Sequence, residues 1–323
     1  MTEHASTPNA LFENASRLQE AVSSVVVGKP EQVRLAVTVL LAGGHLLVED
    51  VPGVGKTVLA KTLAKAMSSK VNRIQFTPDM LPSDVTGVAI FDQRKAEFEF
   101  QPGPVFANVV IGDEINRASP KTQSALLECM EERQVSVDGQ THRLPDPFTV
   151  FATQNPSEME GTYPLPEAQR DRFMARISMG YPDRDSELKM LESRDRVDPL
   201  SSLEPVVSAA QVRTMITQVQ DVFVAPSVKQ YVVDLARATR EHEAIRVGVS
   251  PRASLHLLRA AKASAAIAGR SYVIPDDVRD LLVRVFAHRL VIGSRAGRKS
   301  SSYAEASRIL EQIAAQIPAP TGA

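Results

Sequence analysis

Short apolar runs alternate with helical patterns along the first 180 residues, and helical periodicity dominates the rest of the chain. Runs that are mainly apolar predict strands buried on both faces, as in the centre of a parallel α/β sheet. These runs are residues 46–48, 74–76, 108–112 and 148–153. The pattern therefore predicts an α/β domain with a parallel sheet flanked by helices over residues 1–180. A smaller, all-α domain is expected over residues 183–318, with a tail at 319–323.

Helical periodicity and capping residues predict the helices of the second domain. They are expected near residues 186–196, 208–221, 227–241, 251–268 and 275–288. Ser208 and Ser250 occupy N-cap positions, and Pro251 occupies a first helical position. Residues 1–8, 293–302 and 318–323 are expected to be loosely ordered.

A glycine-bearing turn separates the first predicted strand from a helical pattern at residues 58–67. The turn and the start of the helix consist of Pro52, Gly53, Val54, Gly55, Lys56, Thr57 and Val58. Backbone N–H groups of such a turn converge on phosphate, Lys56 can reach the outer phosphates, and Thr57 can ligate magnesium. Asp50 stands where the strict phosphate-loop pattern has glycine, and aspartate tolerates a positive φ better than most residues. We expect a nucleoside triphosphate site here; the alternative is a glycine-rich turn without a ligand.

Polar side chains follow two of the other predicted strands. At the end of a central strand, one carboxylate can hold magnesium through water and the next can polarise the attacking water. We assign these roles to Asp113 and Glu114, respectively. Asn155 follows residues 148–153 and can orient the attacking water and sense the γ-phosphate. The alternatives are a solvated strand-to-helix turn for the acids and an ordinary Asn-Pro turn for Asn155.

Composition excludes several classes of protein. The 323 residues carry a formal net charge of -1, so the chain has no bulk attraction for nucleic acid or anionic lipid. No apolar run approaches the ~20 residues of a membrane span, and no signal pattern opens the chain, so a cytoplasmic protein is expected. The single cysteine, Cys129, excludes an internal disulfide, and its default interpretation is a small buried thiol.

Several ordered motifs give the chain a specific resemblance. They are residues 44–57, 113–118, 152–156, 161–169 and 250–254. Together they resemble a MoxR-type AAA+ ATPase over roughly residues 25–290, and Asp50 is usual at its position in that family. The resemblance implies a P-loop NTPase (AAA+) core with a helical lid, ATP and Mg²⁺ as cofactors, and chaperone-like remodelling or maturation of protein complexes.

The resemblance also implies roles for two arginines. Arg172 matches the arginine finger, which reaches the γ-phosphate held by a neighbouring subunit, although Arg170 competes for this role. Arg252 matches the second sensor, which contacts the nucleotide from above. The alternatives are ordinary surface arginines. A finger supplied by a neighbour implies a homo-oligomer, by family analogy a hexameric ring. It would act on a client protein, with a von Willebrand factor A-type partner in a separate chain.

Two alternating segments are similar to projecting parts of that family. Residues 76–106 resemble an insertion in helix two. A hairpin that precedes the first sensor corresponds to residues 134–147, where Asp138-Gly139 is a strong turn signal. The nearest competing function is a magnesium-chelatase-type ATPase subunit. A non-catalytic nucleotide-dependent scaffold is also considered, and the presence of Glu114 argues against it.

Overall fold

The computed structural model describes residues 8–51, 53–155, 162–194, 198–293 and 303–321. Its strands are β1 (Leu46–Glu49), β2 (Val71–Gln75), β3 (Gly87–Asp92), β4 (Glu97–Pro102), β5 (Val109–Asp113), β6 (Gln134–Val137), β7 (Gln140–Arg143), β8 (Thr149–Gln154), β9 (Ala175–Ile177), β10 (Ile245–Val247) and β11 (Val291–Ile292).

Its helices are α1 (Pro8–Val25), α2 (Pro30–Leu41), α3 (Lys56–Ala66), α4 (Pro82–Thr86), α5 (Pro120–Glu132), α6 (Glu167–Arg170), α7 (Arg184–Arg194), α8 (Pro199–Ser202), α9 (Ala209–Gln220), α10 (Pro226–Glu241), α11 (Pro251–Ile267), α12 (Pro275–Phe286) and α13 (Tyr303–Gln316). Short 3₁₀ turns follow β5 and α12, at Ile115–Arg117 and Ala287–Arg289.

A five-stranded parallel sheet in the order β2-β5-β8-β1-β9 forms the centre of the molecule. Because every strand runs the same way, all five end at one edge, here called the carboxyl edge, and begin at the opposite amino edge. At about 3.3 Å per residue, even the four residues of β1 separate these edges by roughly 13 Å.

The four predicted strands of the sheet are confirmed, with bounds shifted by up to three residues. Strand β9 was not predicted, because the charged residue Arg176 occupies the middle of its three positions. Strand β9 pairs in parallel with β1, the strand that precedes the phosphate loop, so the end of the α/β domain lies beside that loop's strand.

Both faces of the sheet are covered, as a parallel sheet requires. Alternate residues of β1 divide between two apolar clusters: Leu46 and Val48 join one, and Leu47 joins the other. The first cluster includes α1, α2, α3 and residues of the later helices, whereas the second includes α5 and the 3₁₀ turn after β5. Cys129 lies in the second cluster, and burial raises the pKa of its thiol to about 12, so the thiol is inert.

The described residues from 184 onward are helical apart from the pairing of β10 with β11 and an isolated bridge between Phe223 and Tyr272. All five predicted helices are present, and the side chains of Ser208 and Ser250 accept the expected N-cap bonds from Gln211 and Ala253. Helices α1, α2 and α13 were not predicted individually. Part of the predicted loose segment 293–302, residues 294–302, lies outside the described residues.

Both predicted hairpins form, as β3–β4 and β6–β7. The second turns at Asp138 and Gly139, which both have positive φ values of 49° and 77°. The hairpins touch, since the ring of Phe100 stacks on His142 with centroids 3.9 Å apart. In the part of the chain described, no helix combines the length and apolar character that crossing a membrane demands.

His45 is a buried titratable group at the amino edge. Its Nδ1 accepts the Val150 N–H at 3.0 Å, which leaves Nε2 to donate to the Met130 carbonyl, also at 3.0 Å. The imidazole is therefore neutral. Burial, reinforced by the charge of Arg133, lowers its pKa from 6.5 to about 4.

We expect acid to destabilise the chain through His45. Because the folded-state pKa is lowered, the unfolded chain binds more protons between pH 6.5 and about pH 4. The contribution of His45 is fully present above pH 6.5 and is lost as the pH falls through this window. Urea unfolding measures the free energy of unfolding near pH 7 and near pH 4.5. Between these pH values, that free energy should fall by about 2–3 kcal/mol less in His45→Gln than in the parent chain. Equal losses in the two proteins would exclude His45 as the group responsible.

Candidate functional site

The phosphate loop joins β1 to α3 at the carboxyl edge. Gly53 and Gly55 have φ values of 85° and 90°, and an added Cβ at either position would meet open space. Backbone conformation, and not crowding, therefore requires these glycines. Gly55 is the N-cap of α3, so the positive end of that helix faces the loop. Pro52, which was also assigned to the site, lies outside the described residues.

Asp50 ties the loop to the segment after β9. Its Oδ2 accepts hydrogen bonds from Ser178 Oγ at 2.8 Å and from the Gly180 N–H at 2.6 Å. Burial by itself would raise the pKa of the Asp50 carboxyl, but these bonds, that from Gly180 foremost, hold the pKa below its usual value. The Asp50 carbonyl accepts Lys56 Nζ at 2.8 Å, so the loop lysine is held within the loop. A glycine at position 50 could not form the side-chain hydrogen bonds with Ser178 and Gly180.

Asp113 ends β5 next to the start of α3. Its Oδ2 lies 3.4 Å from Thr57 Oγ1, and its Oδ1 accepts Thr153 Oγ1 at 3.1 Å. A buried carboxylate beside a hydroxyl offers the oxygen donors that Mg²⁺ prefers, so these residues fit the expected metal. Arg73 Nε also donates to Asp113 Oδ2, at 2.6 Å.

Glu114 follows with an unusual backbone conformation. Its φ and ψ are 58° and 48°, in the left-handed region that glutamate seldom occupies. The Thr153 hydroxyl accepts the Glu114 N–H at 3.1 Å and so holds this turn. The carboxylate Oε2 accepts Gln75 Nε2 and Arg117 Nη1, each at 3.0 Å. The second acid is thus fixed at the carboxyl edge, next to Asp113.

Asn155 and Val58 complete the group at this edge. Asn155 is buried and directly follows β8, which lies between β5 and β1. Val58 lines a cleft of about 520 Å³ together with Thr57, Lys61 and Arg73. The structure therefore brings together the described residues assigned to phosphate, metal and water.

The two assigned arginines lie at the opposite edge of the sheet. Arg172 precedes β9, and Arg252 is in the first turn of α11. Both line a pocket of about 240 Å³ with Gly43, Gly44 and His45, which come just before or at the start of the parallel strand β1. This pocket is at the amino edge, whereas the phosphate loop follows the other end of β1. Arg252 was expected to contact the nucleotide, but it lies at the edge of the sheet opposite the phosphate loop of its own chain.

One carboxylate, that of Glu131 near the end of α5, pairs with both arginines. Arg172 Nη2 lies 3.1 Å from Glu131 Oε2, and Arg252 Nη2 contacts Glu131 Oε1. The Arg172 side chain is 30% exposed, while the Nε atom of the competing Arg170 is buried.

Asp171 joins the turn that carries Arg172 to the helical domain. Both of its carboxylate oxygens lie 2.9 Å from Ser250 Oγ, the N-cap of α11. Its Oδ1 also accepts Arg289 Nε at 2.8 Å. Arg289 is buried, which lowers its pKa to about 10, and it remains charged at neutral pH. Asp171 therefore links the turn that carries Arg172 both to the first turn of α11, which carries Arg252, and to Arg289 after α12.

Sequence reasoning missed several residues of these two clusters. They are Arg73, Gln75, Arg117, Glu131, Thr153 and Asp171. A signal did exist for Arg73 and Gln75, because two polar residues at i and i+2 near the end of β2 point to one face of a strand. That signal became informative only once β2 was found beside β5.

Comparisons with known proteins follow the same division of the chain. The sequence model for the ATPase family associated with various cellular activities (AAA) matches residues 45–175, and that for the AAA lid domain matches residues 237–313. Protein YeaC of Bacillus subtilis (strain 168), which is uncharacterized, is 48% identical over 93% of each chain. Chaperone MoxR1 of Mycobacterium tuberculosis is 42% identical over 84% of this chain and 74% of its own.

Two further matches extend over nearly the full length. Protein MoxR of Paracoccus denitrificans is 31% identical over 99% of both chains. The crystal structure of a candidate ATPase from Cytophaga hutchinsonii is 38% identical, has a TM-score of 0.89 and covers 97% of both chains. These likenesses extend through the phosphate loop, the acids and the helical region that carries Arg252.

Proposed function

Because the chain belongs to the MoxR family of AAA+ ATPases, we propose that it hydrolyses ATP at the seam between subunits of a ring. One subunit holds the triphosphate at its carboxyl edge, and the next supplies Arg172 and Arg252 from its amino edge. Both arginines are assigned in trans because they lie at the far edge of the sheet from their own phosphate loop. This separation is the observation that carries the proposal.

Each residue has a role that follows from its contacts. The loop N–H groups and Lys56 bind the phosphates, and Thr57 and Asp113 would hold Mg²⁺. The metal, when bound, neutralises charge that develops on the phosphate oxygens. Glu114 takes a proton from the attacking water, and Asn155 orients that water. The neighbour's guanidiniums stabilise the charge of the transition state.

We further propose that the ring remodels protein complexes. A relative named as a chaperone supports this role, and the near neutrality of the chain argues against a nucleic-acid client. The exposed hairpins, where the residue Phe98 is 72% exposed, are the surfaces that we propose for contact with a client or a von Willebrand factor A-type partner. The MoxR names among the relatives favour this function over a magnesium-chelatase subunit.

Mixing two inactive variants tests catalysis between subunits. Lys56→Ala should not bind ATP, and Arg172→Ala should bind ATP but hydrolyse it poorly. In mixed rings, an Arg172→Ala subunit can hold ATP while a neighbouring Lys56→Ala subunit supplies the missing arginine. We expect the mixture to recover part of the parent ATPase rate, measured as phosphate release at constant total protein.

Two controls make the mixing experiment decisive. Each variant assayed alone should stay inactive, and differently tagged subunits should co-purify, which demonstrates mixed rings. If mixed rings form and the rate does not rise above that of the separate variants, catalysis in trans is excluded.

A further inference from the structure

Glu131 receives two guanidiniums that come from different parts of the chain. Arg172 belongs to the turn before β9, whereas Arg252 belongs to the lid helix α11. Each gives one nitrogen to a different oxygen of the same carboxylate. Without that carboxylate, two like charges would face each other across a shared pocket and would repel.

The local sequence does not favour acid at this position. Glu131 and Glu132 occupy the last turn of α5, which contains no basic residue. The negative end of the helix dipole disfavours carboxylates there, typically by about 0.3–1 kcal/mol each. An acid at a locally unfavourable place, paired with two arginines from elsewhere in the fold, indicates a role set by the tertiary structure.

From this geometry we infer that Glu131 is a positioning residue for the arginine pair that acts on the neighbouring subunit; the inference rests on the proposed function. A guanidinium has five N–H donors, and the Glu131 contacts use one nitrogen of each arginine. Arg252 Nη1 also lies 3.9 Å from Asp171 Oδ2, but both guanidiniums retain further donors for a phosphate while Glu131 holds them side by side. Because this arrangement exists before the neighbour's nucleotide arrives, less ordering is needed at the transition state.

Glu131→Gln tests the role, because glutamine preserves the size of the side chain but removes the charge. The residue is 36% exposed at its side chain, so the substitution should not unfold the protein. We expect kcat for ATP hydrolysis to fall by about 10- to 100-fold, with KM for ATP little changed. Glu241→Gln, which changes an exposed acid in the last turn of α10, is the matched control and should keep the parent rate.

Placement in mixed rings separates positioning from general damage. Starting from the active mixture of Lys56→Ala and Arg172→Ala chains, Glu131→Gln is added to one partner at a time. In the Lys56→Ala chain, which supplies the arginines, it should lower the rate about 10-fold or more. In the Arg172→Ala chain, which supplies the nucleotide site, the same substitution should lower the ATPase rate much less.

The possible outcomes distinguish the two proposals. Equal losses in the two placements would overturn the positioning role, because they would reflect a general structural defect. An unchanged or increased rate in the arginine-supplying chain would also overturn it, and an increase would mean that Glu131 holds the arginines back. Failure of the starting mixture itself, with mixed rings present, would instead remove the proposed function on which the inference rests.

Discussion

Replacing Arg172 by alanine is expected to lower ATP turnover by about 10³–10⁵-fold, the range found for arginine fingers. The reason is electrostatic, because a guanidinium placed at the γ-phosphate stabilises charge that develops mainly in the transition state. Binding of ATP in the ground state should change little, since Arg172 lies at the edge of the sheet opposite its own phosphate loop. Steady-state phosphate release and equilibrium binding of a fluorescent ATP analogue measure the two effects separately.

The matched control for Arg172→Ala is Arg237→Ala. Arg237 is an exposed arginine of α10 whose ion pair with Glu241, at 3.3 Å, lies at the solvent surface. Its removal should leave turnover within about twofold, because exposed ion pairs contribute little. Arg172→Ala with parent turnover would exclude this residue as the finger. Arg170, with its buried Nε atom, would then be the next residue to test.

Glu114→Gln is expected to reduce hydrolysis by about 10²–10⁴-fold, the usual contribution of a general base, while ATP binding persists. Glutamine has nearly the same shape but cannot accept the proton of the attacking water. The backbone at this position should be retained, because Thr153 holds the Glu114 N–H and not its carboxylate. The variant should therefore accumulate as an ATP-bound oligomer, detectable by light scattering after nucleotide is added.

Glu128→Gln provides the comparison for the second variant, since Glu128 is an exposed acid on α5. It should hydrolyse ATP at the parent rate. If Glu114→Gln also turns over normally, the water-activating role must be given to another group. If Glu114→Gln fails to bind ATP, Glu114 supports the nucleotide site structurally and its chemical assignment is wrong.

Local signals account for the parts of the candidate site that the sequence predicted. The phosphate loop, Asp113, Glu114 and Asn155 each stand directly after an apolar run. A strand end, a turn and a helix start are short-range features, so spacing along the chain is enough to predict them. For the same reason the five lid helices were found, two of them with N-cap serines, whereas the three-residue strand β9 was not.

Neighbouring residues that belong to other strands were not predictable in this way. Arg73 and Gln75 donate hydrogen bonds to Asp113 and Glu114, respectively, because β2 lies beside β5. The order of the strands is a property of the whole sheet. Likewise, the sequence shows Glu131 only as an acidic residue of a helix. Its contacts with Arg172 and with Arg252 of α11 depend on how distant parts of the chain pack together.

The amino-acid sequence alone determined the family, the α/β and helical parts, and the candidate residues for phosphate, metal and water chemistry, because these depend on contiguous motifs. The tertiary structure decided on which edge of the sheet each group lies. It placed Arg252 beside Arg172 and away from its own phosphate loop, because parallel strands separate their two ends and the lid packs through Asp171 and Arg289 at the amino edge. That separation is the reason why we propose that both arginines act on the nucleotide of a neighbouring subunit.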